Sequence, residues 1–283
     1  MSNLIQVGVI GGGFVGSATS LLECEGVKVF TYDKDPDKSI PLGLNMKELA
    51  CCSLIFVCVP TPANEDGSCD TSIVESVVEE LKGYLVPLEN IIVRSTVPVG
   101  TCKRLGVNFM PEFLTEANWR EDFVNNKDWI LGINKGPFST AGSLDIFKAL
   151  MDLAYENNKI KSNIIHVVST ESAEAVKLAR NSFLALKVSY FNELNEFCKK
   201  KDLNFETIAH CIGLDERIGH DHTEVPGPDG KRGFGGKCFP KDSESLLFQM
   251  RDCYMKSYIL KACVDRNNQV DRNKYLEEFN IKL

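Results

Sequence analysis

The sequence predicts an α/β fold in which an N-terminal parallel β-sheet with crossover helices precedes an all-α domain with a long final helix. Two observations lead to this prediction. Short β-rich runs alternate with amphipathic stretches through residues 1–169, as in a parallel sheet whose strands are joined by helices. From Thr170 the periodicity is helical, interrupted by a Gly- and Pro-rich loop at 219–236, and the final helix is predicted from about residue 253 to about residue 279.

Seven β-rich runs account for the predicted sheet: residues 4–10, 27–32, 54–59, 91–94, 107–110, 129–133 and 164–168. Helical periodicity at 71–82 and 139–153 supplies two of the crossover helices. We therefore predict one domain over residues 1–169 and a second, helical domain over residues 170–283.

Composition and charge exclude several classes of protein. With 43% hydrophobic and 25% charged residues, the 283-residue chain has the composition of a globular protein rather than a disordered one. A formal net charge of −7, without a basic run, argues against nucleic acid as a partner. The apolar runs fall far short of the roughly 20 residues that span a membrane, and no signal-peptide pattern is present, so we predict a cytoplasmic protein.

Cysteine and histidine patterns predict no metal site. The eleven cysteines include no CxxC pair and are expected to be reduced, with Cys51, Cys52 and Cys58 as core thiols in or beside an apolar strand. His220 and His222 form an HxH pair without an apparent third ligand, so we predict that they are ordinary loop residues.

A glycine pattern after the first predicted strand indicates a dinucleotide site. Gly11, Gly13 and Gly16 stand between a strand and a helix, where glycine permits a tight turn and close approach of the backbone to a pyrophosphate. Asp33 ends the second strand, at the distance where a carboxylate binds the adenosine ribose, although a turn-capping role would also suit it. Its charge favours NAD over NADP, while the neighbouring Lys34 leaves the alternative open. A Rossmann-type domain is thus predicted.

Cys238 differs from the other cysteines in its surroundings. It lies in GFGGKCFPKD, residues 233–242, between Lys237 and Lys241 and just before a predicted helix N-terminus. Positive charge and helix-end amides both favour the thiolate, which is the reactive form of cysteine. From these residues alone, Cys238 could be either a nucleophile or a buried structural thiol.

The GGxCxPKD loop resembles that of the UDP-glucose/GDP-mannose dehydrogenase family. Other segments agree in order and spacing: VGVIGGGFVG, the CVPTP run ending at Pro62, STVPVG at 95–100, PEFLTE at 111–116, and EAVKLARNSFLALKVSYFNE at 174–193. The VPGPDGKRGFGG approach to Cys238 is more similar to some UDP-glucose enzymes than to the GDP-mannose enzymes. The resemblance covers essentially the whole chain.

This resemblance implies an NAD-dependent, two-step oxidation of UDP-glucose to UDP-glucuronate. Cys238 would attack an aldehyde, and the thiohemiacetal would be oxidised to a thioester that water releases as the acid. The same chemistry on a UDP-N-acetylhexosamine or on GDP-mannose, and a non-catalytic NAD-binding remnant, are the alternatives. A β-hydroxyacid dehydrogenase is disfavoured, because a single hydride transfer has no use for the cysteine loop.

The resemblance also assigns residue roles. Lys177 and Asn181, four apart on one helix, would stabilise an oxyanion, whereas spacing alone would suggest surface residues. Asp242, if it is not simply a helix N-cap, would hold a water together with the lysine and Thr96. Glu112 would lie near the sugar and Glu116 would activate the hydrolytic water. The alternative is that both are ordinary surface charges.

The predicted cofactor-binding residues are Gly11, Gly13, Phe14, Val15, Gly16, Asp33, Lys34, Pro60, Thr61, Thr96 and Glu116. The predicted substrate-binding residues are Glu112, Phe113, Leu114, Lys177, Asn181, Arg217, Phe234, Gly235 and Gly236.

A homodimer with a composite active site is expected from the helical domain. The segment 254–270 carries a helical apolar pattern that a monomer would expose, formed by Tyr258, Ile259, Ala262, Cys263 and Val270. The resemblance implies that Arg217 reaches the substrate across the dimer interface. Full-length relatives continue into a third, nucleotide-binding domain, which we expect to be absent from this chain.

Overall fold

The computed structural model describes residues 4–134 and 142–273. The chain forms two compact units: an N-terminal unit of Met1–Pro62 with Asp70–Lys177, and a C-terminal unit of Ala63–Cys69 with Leu178–Leu283. The short segment Ala63–Cys69 therefore belongs to the C-terminal unit although it lies early in the sequence. The position predicted as the domain boundary, after residue 169, is where a 31-residue helix begins.

The described part of the N-terminal unit contains one seven-stranded sheet in the order β2-β1-β3-β4-β5-β6-β7. Its strands are β1 (Ile5–Ile10), β2 (Val27–Tyr32), β3 (Leu54–Val57), β4 (Ile91–Val93), β5 (Asn108–Phe109), β6 (Trp129–Ile133) and β7 (Ile165–Ser169). The pairs are parallel except for β5 with β6, which is antiparallel. The predicted α/β class with a largely parallel sheet is confirmed.

Helices on the two faces of this sheet exclude water from it. They are α1 (Phe14–Thr19), α2 (Ser72–Gly83), α3 (Thr101–Leu105), α4 (Trp119–Val124) and α5 (Gly142–Glu156). In α2 the buried residues Val74, Val77, Val78 and Leu81 recur at intervals of three and one, as expected for one face of a helix. The central strand β3 is buried at every residue, which explains why its sequence is a continuous apolar run. Of the predicted helix 139–153, residues 139–141 lie outside the described part.

The C-terminal unit is helical. Its helices are the second part of α6 (Thr170–Lys200), α7 (Phe205–Gly213), α8 (Phe239–Asp252) and α9 (Tyr258–Arg266), followed by a π-helical turn at Asn267–Asp271. The final helix begins at Tyr258 rather than near residue 253, because α8 ends there and Tyr254 adopts a left-handed φ of 59°. The predicted continuation beyond Asn273 lies outside the described residues.

Two sequence expectations about side chains need correction. Cys52 is buried and Cys58 half-buried, but Cys51 is exposed at the end of a 3₁₀ turn rather than in the core. Cys263 was expected in the exposed apolar stripe but packs inside the C-terminal unit, whereas Tyr258 and Ile259 are 76% and 73% exposed, as expected. No helix within 4–134 or 142–273 is both long enough and apolar enough to cross a membrane.

Candidate active site

The first glycine-rich loop connects β1 to the N-terminus of α1. Gly11 has a φ of 104°, and a Cβ there would lie 2.5 Å from the Cys58 carbonyl oxygen. A Cβ on Gly16 would overlap the Gly11 carbonyl oxygen, so the loop and helix pack as closely as glycine permits. Gly13, the N-cap of α1, has open space around its Cα. This combination of close packing and an open helix end fits a bound pyrophosphate.

Asp33 follows β2 and secures this loop. One carboxylate oxygen accepts a hydrogen bond from the Gly12 amide at 2.6 Å, and the other accepts from the Asp35 amide at 2.8 Å. Each oxygen retains a lone pair for a further donor, so a ribose contact is compatible with both bonds. The turn-stabilising role is therefore present, and the ribose role stays a prediction. Lys34 is exposed beside it.

A cleft of about 270 Å³ opens beside Gly12. Lys38 and Arg120 line it, together with Ser17 and Trp119. These two cations were missed by sequence reasoning, because each is a single charge in a different segment and no motif links them. Their charge suits an anionic ligand next to the glycine-rich loop.

Further predicted cofactor residues follow β3 and β4. Pro60 and Thr61 come after β3, and Thr96 comes after β4; Thr61 and Thr96 are buried. The Ser95 hydroxyl donates to the Val59 carbonyl at 2.6 Å and so joins these two segments. Since β1, β3 and β4 are parallel neighbours, their carboxyl ends lie along the sheet edge where dinucleotides bind. Phe14 and Val15 begin α1 and are half-buried, whereas Glu116 is exposed in a turn.

Lys177 and Glu112 form a buried ion pair. The Lys177 Nζ lies 2.7 Å from a Glu112 carboxylate oxygen and 2.6 Å from its carbonyl oxygen, and the two residues are 2% and 6% exposed. The other carboxylate oxygen accepts from the Leu114 amide at 2.9 Å, and Nζ lies 5.5 Å from the Phe113 ring centroid. The surface-residue alternative is therefore wrong for both.

The charge state of Glu112 follows from these contacts. Burial raises the pKa of its carboxyl, but the charge and hydrogen bonds of Lys177, with the Leu114 amide and Arg94, outweigh burial and leave the pKa lowered. Glu112 is accordingly a carboxylate that holds Lys177 in place. Four predicted substrate residues, Glu112, Phe113, Leu114 and Lys177, are thus brought together in the N-terminal unit.

In the C-terminal unit, Cys238 is the N-cap of α8, a 14-residue helix, and is half-buried. The unpaired amides and the dipole at a helix N-terminus stabilise a negatively charged thiolate. Asp242 lies in the first turn of α8, and its amide donates to the Cys238 carbonyl at 2.9 Å. The cap is therefore Cys238, and the N-cap alternative for Asp242 is wrong.

The Asp242 side chain is completely buried. It accepts from the Asn181 side-chain amide and from the Lys241 ammonium, each at 2.6 Å. Asn181, predicted for oxyanion stabilisation, is buried on α6 and is not a surface amide. The C-terminal unit therefore brings together Cys238, Asp242 and Asn181, and adds Lys241 as the partner of the aspartate.

The second glycine-rich loop, 233–236, leads to Cys238. The Gly233 amide donates to the Asn192 side chain at 3.0 Å, and the Phe234 amide donates to the Asn267 side chain at 2.8 Å. Phe234 itself is buried against Ala185 and Cys263. Asn192 and Asn267 were missed by sequence reasoning, because buried asparagines on helices carry no local signal.

The two domains of one protein family match the chain. The central domain of the UDP-glucose/GDP-mannose dehydrogenase family matches residues 171–269, and the NAD binding domain of the same family matches residues 43–151. The chain belongs to this family. Its cofactor is NAD, in agreement with the sequence prediction.

Relatives within the UDP-glucose/GDP-mannose dehydrogenase family are similar over most of this chain. A putative UDP-glucose 6-dehydrogenase, YtcA, of Bacillus subtilis is 29% identical over 97% of this chain and 70% of its own length. The UDP-glucose 6-dehydrogenase of Rickettsia bellii is 31% identical over 86% of this chain and 55% of its own length. The chain thus spans only part of these relatives.

Solved structures show the same fold. A UDP-glucose dehydrogenase from Pyrobaculum islandicum has a TM-score of 0.79 at 26% identity, over 99% of this chain and 72% of that one. A 3-hydroxyisobutyrate dehydrogenase of Mycobacterium tuberculosis has a TM-score of 0.69 at 15% identity, over 97% of this chain and 94% of that one. The second likeness is one of fold alone.

The remaining predicted residues of this family member lie on the surface of the C-terminal unit. The Arg217 side chain is 89% exposed and pairs with Asp215 at 2.6 Å, so its role across a dimer interface stays a prediction. His220 stacks on His210, and His222 packs edge-on against Phe239. Within 4–134 and 142–273, no three Cys, His, Asp or Glu side chains cluster as metal ligands.

Proposed function

We propose that this chain is an NAD-dependent UDP-glucose 6-dehydrogenase that converts the primary alcohol of UDP-glucose to the carboxylate of UDP-glucuronate. The observation that carries the proposal is Cys238 at the N-terminus of α8, next to the buried Asp242 with its Asn181 and Lys241 bonds. A thiol in that position is suited to attack a carbonyl carbon. The relatives named as UDP-glucose 6-dehydrogenases favour this substrate.

The proposed reaction has three chemical stages. When bound, NAD accepts the hydride that leaves the sugar carbon in each of two oxidations. The first oxidation yields an aldehyde, and the Cys238 thiolate then forms a C–S bond to its carbonyl carbon, giving a thiohemiacetal. Loss of a second hydride from that carbon restores the C=O bond as a thioester. Water attacks the thioester, the C–S bond breaks, and the thiolate leaves. One alcohol and one water thus become one carboxylate and three protons, with two NADH.

Named residues support the charged stages of this scheme. We propose that Lys177 and Asn181 stabilise the oxyanion that develops at the sugar carbon, since a cation and an amide donor are suitable for that charge. Asp242 and Thr96 hold the water, Glu116 removes its proton, and Glu112 orients Lys177 and the sugar. The buried ion pair of Glu112 with Lys177 agrees with this last role.

Stoichiometry tests the proposal. Because the thioester retains the aldehyde for a second oxidation, we expect two NADH for each UDP-glucose consumed and no free aldehyde. Absorbance of NADH and chromatography of the nucleotide sugar give the ratio. A ratio near one, with aldehyde in solution, would exclude the thioester. Parallel assays with UDP-N-acetylhexosamines and GDP-mannose test the substrate, and turnover of one of these in preference to UDP-glucose would reassign it.

We also propose a homodimer formed through α9. Tyr258 and Ile259 are exposed at the start of α9, and Val270 is exposed in the π-helical turn that follows it. Exposed apolar side chains of this kind are buried on association. If Arg217 acts across that interface, mixing inactive Cys238→Ser and Arg217→Ala proteins restores activity in heterodimers with one intact site. A monomer by light scattering, or no recovery despite proven subunit exchange, would contradict this proposal.

A further inference from the structure

Helix α9 is followed at Asn267 by a turn with a different hydrogen-bonding pattern. From Asn267 to Asp271 the turn is π-helical, and the Arg272 amide donates to the Asn267 carbonyl, five residues back, at 2.7 Å. Such turns are uncommon and occur frequently at functional sites. In an α-helix, residues five apart point to different sides. The wider turn instead brings Asn267, Asp271 and Arg272 towards one side.

All three side chains act on the loop that precedes Cys238. Asn267, which is buried, accepts from the Phe234 amide at 2.8 Å. Asp271 has a buried side chain that accepts from Arg232 at 3.1 and 3.2 Å. Arg272 donates to the Asp229 carboxylate at 2.6 Å and lies 3.4 Å from the Gly233 carbonyl oxygen.

The same arginine occupies the space that a side chain at Gly235 would take. A Cβ on Gly235 would lie 2.5 Å from the Arg272 Nη1 and 2.6 Å from its Cζ. The guanidinium group therefore packs closely against the backbone at Gly235. Together with the Asn192 bond to Gly233, these contacts secure the loop from Asp229 to Gly235, immediately before the GKC sequence.

We propose that the π-helical turn Asn267–Asp271, with Arg272, is the positioning element of the glycine-rich loop, and hence of Cys238 and of the sugar that Phe234, Gly235 and Gly236 are predicted to contact. The inference rests on the proposed function for its catalytic consequence. Its residues are positioning residues, because they act on the loop and not on the substrate.

The physical reason is the precision that a covalent step requires. A nucleophile displaced by about 1 Å loses on the order of a hundredfold in rate, so a flexible glycine-rich loop needs restraints from outside itself. Backbone amides that donate to fixed, buried acceptors supply such restraints, because leaving them unbonded in the interior is costly. An α-helical turn at the same place would rotate Arg272 away from the loop while leaving Asn267 unchanged.

A matched pair of variants at Gln269 tests the geometry of the turn. Gln269 has an exposed side chain inside the π turn, so Gln269→Ala removes the side chain and keeps the turn. Inserting one alanine after Gln269 adds one backbone residue and places Asp271 and Arg272 five and six residues beyond Asn267, out of register with the loop. Asn267→Ala removes a single acceptor and keeps the register.

The first measurement is amide hydrogen exchange of a peptide covering residues 229–238, which needs no activity. We expect exchange in this peptide to be about tenfold faster in the insertion variant and in Asn267→Ala, and unchanged in Gln269→Ala. The second is steady-state kinetics. In the same two variants the KM for UDP-glucose rises and kcat falls, each by about tenfold, while the KM for NAD stays constant.

Each outcome decides a separate point. Wild-type exchange in both Asn267→Ala and the insertion variant would overturn the proposed restraint. Faster exchange with unchanged KM and kcat for the sugar would overturn the positioning role. If circular dichroism shows that the insertion unfolds the unit, Asn267→Ala decides alone. A wild-type protein inactive on every sugar would refute the proposed function, whereas the exchange comparison would still establish or refute the restraint.

Discussion

The two glycine-rich loops of this protein lead into helix N-termini in similar ways, yet their glycines are required for different reasons. At Gly11 and Gly16 of the first loop, the atoms that exclude a side chain are backbone atoms: the Cys58 carbonyl faces Gly11, and the Gly11 carbonyl faces Gly16. In the loop at 233–236, they are side-chain atoms of distant residues. A Cβ on Gly233 would lie 2.5 Å from the Asn267 side-chain oxygen, and one on Gly235 would meet Arg272.

The two loops therefore differ in what holds them in place: mainly backbone atoms in the first, and side chains from other segments in the second. The first loop is shaped mainly by its own backbone and by the neighbouring strand, so it is complete once the sheet forms. The second depends on Asn192 from α6 and on the π turn after α9, 33 residues or more from the amides they bind. Substitutions in α6 or after α9 therefore reach the second loop, whereas the first loop depends on the adjacent sheet and on Asp33 at the end of β2.

The largest expected effect is on acid production, which depends on the second loop, and leaves NAD binding by the first loop unchanged. Cys238→Ser should lower acid production by at least about 10³-fold, because a serine alkoxide forms less readily and leaves less readily than a thiolate. NAD affinity should be unchanged, since the first loop does not depend on Cys238. Kinetics with UDP-glucose and a fluorescence titration with NAD measure the two quantities.

The control for Cys238→Ser is Cys253→Ser, which alters an exposed thiol one residue beyond the last turn of the same helix α8. It should retain wild-type kinetics and NAD affinity. Normal acid production by Cys238→Ser would show that the nucleophile is another residue. The loop that leads to Cys238 would then have no distinct role in the chemical step.

The second effect concerns the backbone obstacle in the first loop. Gly16→Ala should lower NAD affinity by about a hundredfold and the free energy of unfolding by about 2 kcal/mol, because the new methyl group overlaps the Gly11 carbonyl. Gly13→Ala is the matched variant, since its methyl group meets no atom within 4 Å. Its stability should change by less than about 1 kcal/mol, whereas NAD affinity falls by about tenfold as the pyrophosphate loses close contact with the backbone.

Thermal unfolding without NAD and titration with NAD distinguish the two variants. Equal losses of stability in Gly13→Ala and Gly16→Ala would show that overlap with the Gly11 carbonyl is not what makes Gly16 intolerant of a side chain. Unchanged NAD affinity in both would remove the dinucleotide site from this loop altogether.

The sheet could be predicted from sequence because its strands are buried on both faces. The predicted bounds of β2 and β6 agree at both ends with the structure, and β3 differs only in ending two residues earlier. The antiparallel pairing of β5 with β6 was not predicted, because an apolar run specifies burial and not strand direction. The predicted start of the final helix was wrong, because the apolar spacing around Tyr254 does not reveal that the Tyr254 backbone is left-handed.

The candidate site was predicted in its local parts and missed in its long-range ones. Glycine spacing and the GKCFPKD loop identify Gly11, Gly16 and Cys238 from short segments. The partner of Lys177 is 65 residues away, and the partner of Asn181 is 61 residues away. One sequence contains no signal for such pairs, because both depend on how α6 packs. The same reason hides Asn267 and Arg272.

The smallest expected effect is the sharpest test of the comparison. Gly235 has no left-handed backbone requirement, and the three atoms nearest to an alanine Cβ there all belong to the Arg272 guanidinium. Gly235→Ala should raise the KM for UDP-glucose by about tenfold, equivalent to about 1.4 kcal/mol, as the guanidinium is displaced. Arg272→Ala removes the obstacle together with the Asp229 bond. The KM for UDP-glucose should therefore rise less in the double variant than the two single effects together predict. In a double-mutant cycle this corresponds to a coupling energy of about 1 kcal/mol.

Gly236→Ala is the control for this cycle. Gly236 has a φ of 75° and no atom within 4 Å of an added Cβ, so its alanine variant is strained by the backbone itself and should be additive with Arg272→Ala. In the first loop no side-chain truncation can rescue Gly16→Ala, because the obstacle is a carbonyl oxygen. Rescue of Gly235→Ala but not of Gly236→Ala would establish that the second loop is shaped by a side chain from the end of the helical unit. Strict additivity at Gly235 would show that this loop, like the first, is determined by its own backbone.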